Sequence, residues 1–442
     1  MKRLLILNGT VINEGMTKET DILISNGRIE AIGSSLSHHN IDEIIDASGL
    51  YILPGMIDDQ VHFREPGMTH KADIATESKA AVAGGITSFM DMPNTIPNTL
   101  TAERLEEKYQ LAAGRSMANY GFYFGASNDN LENIKRLDPR STCGIKVFMG
   151  ASTGNMLVDD PNTLENIFKH APTLVATHCE DTPTIVANEE KMRARYGEDV
   201  PFELHPQIRS TEACVKSSRL AIDLATRFGT RLHILHISTK EEAEAFKSGP
   251  ITDKQITAEA CVHFLHFSSE DYAQKGALIK CNPAIKTPSD REAIITGLLE
   301  DRLDLIGTDH APHSLKEKQN SYFQAPSGLP LVQYALLAVL EHYHAGQFSL
   351  PFIAHKTSHA VADCFRISDR GYIREGYWAD LVLVDLNNPT QADDQAVLSK
   401  CAWTPFNGFL FRSSIYSTIV SGQVAYRQGH IMYPTGQRLI FM

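Results

Sequence analysis

The seven cysteines, Cys143, Cys179, Cys214, Cys261, Cys281, Cys364 and Cys401, are scattered, and no two form a Cys-x-x-Cys pair. An odd, dispersed set argues against a disulfide framework and a thiolate zinc site, and it favours a reducing compartment. Long apolar runs are missing too. The N-terminal run stops at Asn8-Gly9, short of a secretory core, and no later run reaches the length that spans a bilayer. These absences predict a cytoplasmic protein with no membrane partner. Positive charge is in deficit, with 41 Lys and Arg against 53 Asp and Glu and a formal net charge of −12. That balance leaves no long basic surface for a phosphate backbone, so nucleic acid is not an expected partner. Repeats and low-complexity segments are absent. What is present is an ordinary apolar fraction, 43% of 442 residues, a length that implies two or three domains. There are also 18 histidines, several of them just after apolar β-like runs.

The first part of the chain reads as β-rich. Leu4–Leu7, Asp21–Ser25, Arg28–Ile32 and Glu43–Asp46 are strand candidates, and Asn26-Gly27 is a strong hairpin signal. The far end behaves alike, with Ala379–Val384, Ser414–Val420 and Val424–Arg427 separated by turns such as Ser421-Gly422. Neither end carries enough apolar residues for its own core. One small β-sandwich domain built from both termini, residues 1–53 and 367–442, is therefore expected around a central unit of residues 54–366.

In that unit strand and helix alternate. The strand candidates are Ile57–His62, Thr87–Met92, Tyr120–Ala126, Ile145–Met149, Leu174–His178, Leu232–Ile237, Gln255–Ala260 and Asp304–Thr308. Helical patterns intervene at Thr101–Met117, Thr211–Phe228 and Ser289–Leu299, with capping-box signals at Thr239-x-x-Glu242 and Ser289-x-x-Glu292. Eight strands each followed by a crossover predict an α/β fold of the (β/α)8 TIM-barrel type. An open doubly wound sheet would place a Gly-rich phosphate loop after its first strand, and none is there.

Barrel chemistry collects at the C-terminal ends of the strands. Those ends carry Gln60, His62 and Arg64, then Asn94, Lys146, His178, His236, and Asp309 with His313, while Asn282 sits in a later loop. Period-two geometry turns Gln60, His62 and Arg64 to one side, which suggests a metal beside an anion-binding group. One histidine in an apolar setting is more often structural than a ligand; several at successive strand ends change that balance. Lys146 lies within an apolar strand, where desolvation should lower its pKa. A neutral amine there could take up carbon dioxide as a carbamate and bridge two metals; the alternative is pairing with a buried carboxylate. His233 and His236 are an odd number of residues apart, so only one should enter the barrel, and His236 is nearer the strand end. Asp309 could be a metal ligand and general base, or merely a helix cap. The plainer reading of Arg64 is a surface salt bridge.

Four motifs carry a family resemblance: His62-Phe63-Arg64-Glu65-Pro66-Gly67, Met92-Pro93-Asn94-Thr95, His236-Ile237-Ser238-Thr239 and Asp309-His310-Ala311-Pro312-His313. In this order and spacing they resemble the amidohydrolase superfamily and, within it, the dihydroorotases. The resemblance extends to Gly371–Val382 and covers nearly the whole chain. It implies one or two zinc ions, the more buried one held by Gln60, His62, Lys146 and Asp309, the other by carboxylated Lys146, His178 and His236. The family pattern is Asp-x-His-x-His, and Gln60 stands where the first histidine belongs, which implies weaker or altered metal binding there. Asp309 would shuttle the proton. Arg64, Asn94 and His313 would hold a substrate carboxylate, and Asn282 would contact the pyrimidine ring. The implied reaction interconverts L-dihydroorotate and N-carbamoyl-L-aspartate in pyrimidine biosynthesis.

Two alternatives stay open. One is another cyclic amidase, an allantoinase or a dihydropyrimidinase (hydantoinase). The other is a non-catalytic relative serving as a scaffold for aspartate transcarbamoylase, which Gln60 alone favours. The resemblance also implies a homodimer. The polar, aperiodic stretch from Ser314 to Gly328 is expected to be a mobile cover over the site.

Overall fold

A computed structural model describes residues 3–36, 40–150 and 156–442 of the chain. Eight parallel strands form the barrel: Met56–Val61, Ile86–Asp91, Asn119–Phe122 resuming as Phe124–Gly125, Ile145–Phe148, Val175–His178, Leu232–Ile234, Ile256–Cys261 and Leu305–Gly307. The third is interrupted at Tyr123, its first half pairing with the second strand and its second half with the fourth. A parallel bridge between Val61 and His310 closes the ring. Helices cover the outside. The one at Thr211–Phe228 fills its expected span because Ser210 accepts from Ala213 N at its start and Gly229, at φ 70°, ends it. The capping box expected at Ser289 instead uses Thr287 and Asp290, with Pro288 in the first turn.

Inside the barrel, Ile57, Met90, Tyr123, Ala176, Leu235 and Leu305 form an apolar core. The C-terminal residues Leu439 and Phe441 join it from below, beside the start of the third strand. Gly121 is what lets Phe441 in: a Cβ there would stand 2.8 Å from its ring.

The second unit is one nine-stranded sheet drawn from both ends of the chain. The seam between the ends is the antiparallel pair Tyr51–Pro54 and Leu381–Asp385, with Leu381 opposite Pro54. The Asn26-Gly27 hairpin forms with both residues left-handed, at φ 54° and 80°, the combination a tight two-residue turn needs. Leu4, Ile6, Ile22, Ile52, Leu381 and Ile419 give the sheet its own apolar core. The fold is thus a (β/α)8 barrel carrying a small β domain made by both termini. Among the described residues no helix is long and apolar enough to cross a membrane.

Candidate active site

The first barrel strand is buried along its whole length although Asp58, Asp59 and Gln60 are polar. Its register against the second strand slips: Asp58 faces Phe89 and Val61 faces Asp91, so three steps match two. This bulge breaks the alternation. Asp58 bonds to Thr308 Oγ1 at 2.6 Å and Thr308 N at 3.1 Å, Asp59 points to His233, and Gln60 already reaches the mouth. Arg64 breaks it again with a left-handed φ of 66°. The expected convergence of Gln60, His62 and Arg64 therefore occurs, but through a bulge and a turn rather than period two. One cavity of about 320 Å3 at the C-terminal ends of the strands takes in all ten residues singled out from the sequence.

Hydrogen-bond roles fix which atoms are free. His62 Nδ1 donates to Asn94 Oδ1 at 2.9 Å, an oxygen that can only accept. Its Nε2 is then a lone pair, and it faces Asp309 Oδ1 at 3.2 Å. Gln60 Nε2 donates to the same Oδ1 at 3.0 Å, and Gln60 Oε1 is buried without a partner among the described residues. Across the mouth, His178 Nε2 donates to Glu180 Oε2 at 3.0 Å, leaving Nδ1 as a lone pair 3.0 Å from His236 Nε2. His236 Nδ1 has no partner among the described residues. Burial lowers the pKa of all three imidazoles and keeps them neutral donors. Two pairs of donor atoms, each facing across about 3 Å, suit a cation bound about 2.0–2.1 Å from each nitrogen.

Lys146 is fully buried and its Nζ has no hydrogen-bond partner among the described residues. Burial pushes it down to about 8. It lies within electrostatic reach of Asp309 on one side and of His178 and His236 on the other. The alternative of a paired buried carboxylate finds no support among the described residues; the ammonium sits over the Phe148 ring, 4.6 Å from its centroid.

The anion side is equally defined. Lys71 Nζ donates to His313 Nδ1 at 3.0 Å, so the proton on His313 is at Nε2, which donates to Ser327 O at 3.0 Å. Arg64 Nη2, 3.0 Å from that same nitrogen, meets no lone pair and keeps its N–H groups for another acceptor. Arg64 Nε is committed to Pro312 O at 3.1 Å. Arg64 is 7% exposed and has no ion pair among the described residues, which rules out the surface salt bridge. Asp309 caps no helix; its φ of 53° turns the carboxylate into the mouth.

The Ser314–Gly328 segment stands over the cavity through Tyr322, Phe323 and Ser327. It is anchored more than its aperiodic sequence suggests. Ser314 and Glu317 form a capping box for Leu315–Lys318. Lys318 Nζ donates to the carbonyls of Lys280 (3.1 Å), Pro326 (2.9 Å) and Gly328 (3.0 Å), and Lys280 Nζ to those of Tyr322 (2.6 Å) and Ala325 (2.7 Å).

The amidohydrolase family profile matches residues 51–425. The chain belongs to the amidohydrolase family. A dihydroorotase of Halobacterium salinarum is 33% identical over 407 residues, covering 91% of this chain and 92% of the relative. An allantoinase of Bacillus velezensis is 30% identical over 433 residues, covering 96% and 94%. In three dimensions the L-hydantoinase (dihydropyrimidinase) of Arthrobacter aurescens superposes with a TM-score of 0.93 over 100% of both chains at 24% identity, a likeness of fold.

This amidohydrolase holds a second constellation that the sequence did not disclose. Asp59, His233 and Glu259 are all fully buried, with one ligand-type atom from each within 4.8 Å of the others. The opposite-face argument for His233 and His236 fails, because both point inward. The strand ends at Ile234 and His236 has a φ of 43°, which reverses the alternation between them. His233 belongs to the layer below the mouth, 3.4 Å from Asp59. Arg209 and Lys280 at the cavity wall were also missed, as were Glu180 and Lys71 behind it, which pair with Arg209 and His313. Only Glu180 had a signal, standing two residues after His178 and so on the same face of an extended chain.

Proposed function

We propose that the chain is a dihydroorotase, a cyclic amide hydrolase that interconverts L-dihydroorotate and N-carbamoyl-L-aspartate. The observation that carries this reading is Arg64: a buried guanidinium, without a counter-ion among the described residues, whose Nη2 is uncommitted beside Asn94 and His313. A substrate carboxylate supplies what it lacks, and a planar guanidinium can meet it with two parallel bonds. Dihydroorotate has that carboxylate; allantoin, hydantoins and dihydrouracil do not.

Gln60, His62, Lys146, His178, His236 and Asp309 would hold one or two zinc ions, which when bound polarise a carbonyl and lower the pKa of water. The lowered pKa of Lys146 favours the free amine that reacts with carbon dioxide: an N–C bond forms, a proton leaves, and an anionic oxygen ligand results. Asp309 accepts the proton of the attacking water and returns it to the departing ring nitrogen. Its Oδ1 is tied to Gln60 and faces His62, and Oδ2 takes no hydrogen bond among the described residues. Asn282 and the backbone of the Ser314–Gly328 cover orient the ring.

The test compares kcat/KM on L-dihydroorotate, allantoin and dihydrouracil for the wild type and Arg64→Met. Dihydroorotate should be preferred, and the substitution should lower that preference by about 10–100-fold through KM, the worth of charge-assisted bonds. Faster wild-type turnover of allantoin or dihydrouracil would replace this reading with the corresponding amidase.

A further inference from the structure

Glu180 is fully buried beside the donor atoms of the mouth and is not one of them. Its Oε2 accepts from His178 Nε2 at 3.0 Å and from Arg209 Nη1 at 2.7 Å. Paired to a guanidinium, the carboxylate can only accept. The proton between it and His178 therefore sits on the imidazole, and this leaves His178 Nδ1 as the lone pair aimed at His236. Arg209 continues the line. The Asn282 amide satisfies both of its polar atoms in one orientation, with its oxygen accepting from Arg209 Nη2 at 3.1 Å and its nitrogen donating to Ser327 Oγ at 3.1 Å and Cys281 O at 3.0 Å. An ion pair that only stabilised the barrel would need the Glu180–Arg209 contact alone. Here each partner makes a further bond to a group that lines the cavity.

We propose that Glu180 and Arg209 are positioning residues forming one buried strut, which fixes the tautomer of His178 at one end and the orientation of Asn282 and Ser327 at the other. The metal-binding side and the ring-binding side of the cleft are thereby set by a single hydrogen-bonded line. This rests on the metal-dependent reading above. Carboxylates behind metal-binding histidines orient the ring and raise its basicity, and their loss typically weakens metal binding about 10–100-fold.

The experiment measures zinc affinity of the apoprotein by competition with a chromophoric chelator, and KM and kcat of the zinc-saturated protein on L-dihydroorotate. Glu180→Gln should weaken zinc binding about 10–100-fold. Because it leaves Arg209 without its counter-ion, the charge-balanced Glu180→Gln/Arg209→Gln double variant is measured alongside and should show the same loss. Arg209→Lys keeps the charge beside Glu180 but cannot also reach Asn282. It should hold zinc within about threefold of wild type while KM rises about tenfold at nearly constant kcat, the loss of one charged hydrogen bond. Wild-type zinc affinity in folded Glu180→Gln or in the folded double variant overturns the strut. A wild-type chain that binds no zinc overturns the metal-dependent reading itself, and the strut with it.

Discussion

In the upper layer of the barrel, His62, His178, His236 and Asp309 face a cavity; in the layer below, Asp59, His233 and Glu259 face one another. Both sets combine imidazoles with carboxylates, and all but the half-buried His62 are buried. What differs is access and the state of the lone pairs. At the mouth, partners such as Asn94 and Glu180 hold the protons of His62 and His178 on their outer nitrogens, so lone pairs look inward at open space. Below, His233 Nδ1 is held by Thr257 Oγ1 at 2.8 Å and its other nitrogen points into a sealed ion pair with Asp59. Glu259 accepts from the backbone N of His236 at 2.9 Å, so the lower layer props up the upper one. A cluster of titratable groups is thus not in itself a site. The upper set is reachable and the lower set is not.

The sharpest way to break this comparison is to exchange charge for amide in each layer. Asp309→Asn should lower kcat on dihydroorotate by about 10³-fold, within the usual range for a lost general acid–base group. It should leave the urea midpoint nearly unchanged, since Asp309 opens to the cavity. A residual activity above a tenth of wild type would remove Asp309 from the chemistry.

His233→Leu should do the reverse. It strands Asp59, wholly buried, without the cation that faces it at 3.4 Å. Removing one partner from such a set costs about 3–5 kcal/mol, seen as a lower urea midpoint. KM should stay within about threefold, because no atom of His233 reaches the cavity and the added apolar volume stays in the layer below. A KM shift larger than the stability loss would show that the lower layer takes part in binding.

Much of this architecture was legible. Apolar runs and turn residues located all eight barrel strands, because a parallel sheet covered on both faces needs such runs. The mouth residues were legible because strand ends are where a barrel presents side chains. The failures share a cause. The alternation argument for Gln60, His62 and Arg64 and the opposite-face argument for His233 and His236 both assumed an unbroken pleat. The bulge at Asp58–Val61 and the left-handed residues Arg64 and His236 interrupt it. The pairing of Glu180 with Arg209, 29 residues away, could not be read locally. Nor could the anchoring of Ser314–Gly328, whose carbonyls are taken by lysines that look like ordinary surface charge in the sequence.

Those lysines extend the comparison to a third region. Lys146 and Lys318 are both buried, but Lys146 has no partner among the described residues whereas Lys318 donates to three carbonyls. Burial still pushes Lys318 down to about 7. Its unfolded value is about 10.4. Between those two pH values the unfolded chain holds the proton more often than the folded one, so stability rises with pH across that window. Lys318→Met removes this contribution. From pH 7.5 to 9.5 the wild type should gain about 2 kcal/mol relative to the variant in urea titrations, an upper bound set by about 1.36 kcal/mol per pH unit. The variant should also exchange the amide hydrogens of Ser314–Gly328 faster, since three carbonyls lose their common donor. Equal pH slopes would mean that Lys318 is solvated in the folded protein, leaving Lys280 as the lysine that holds the cover.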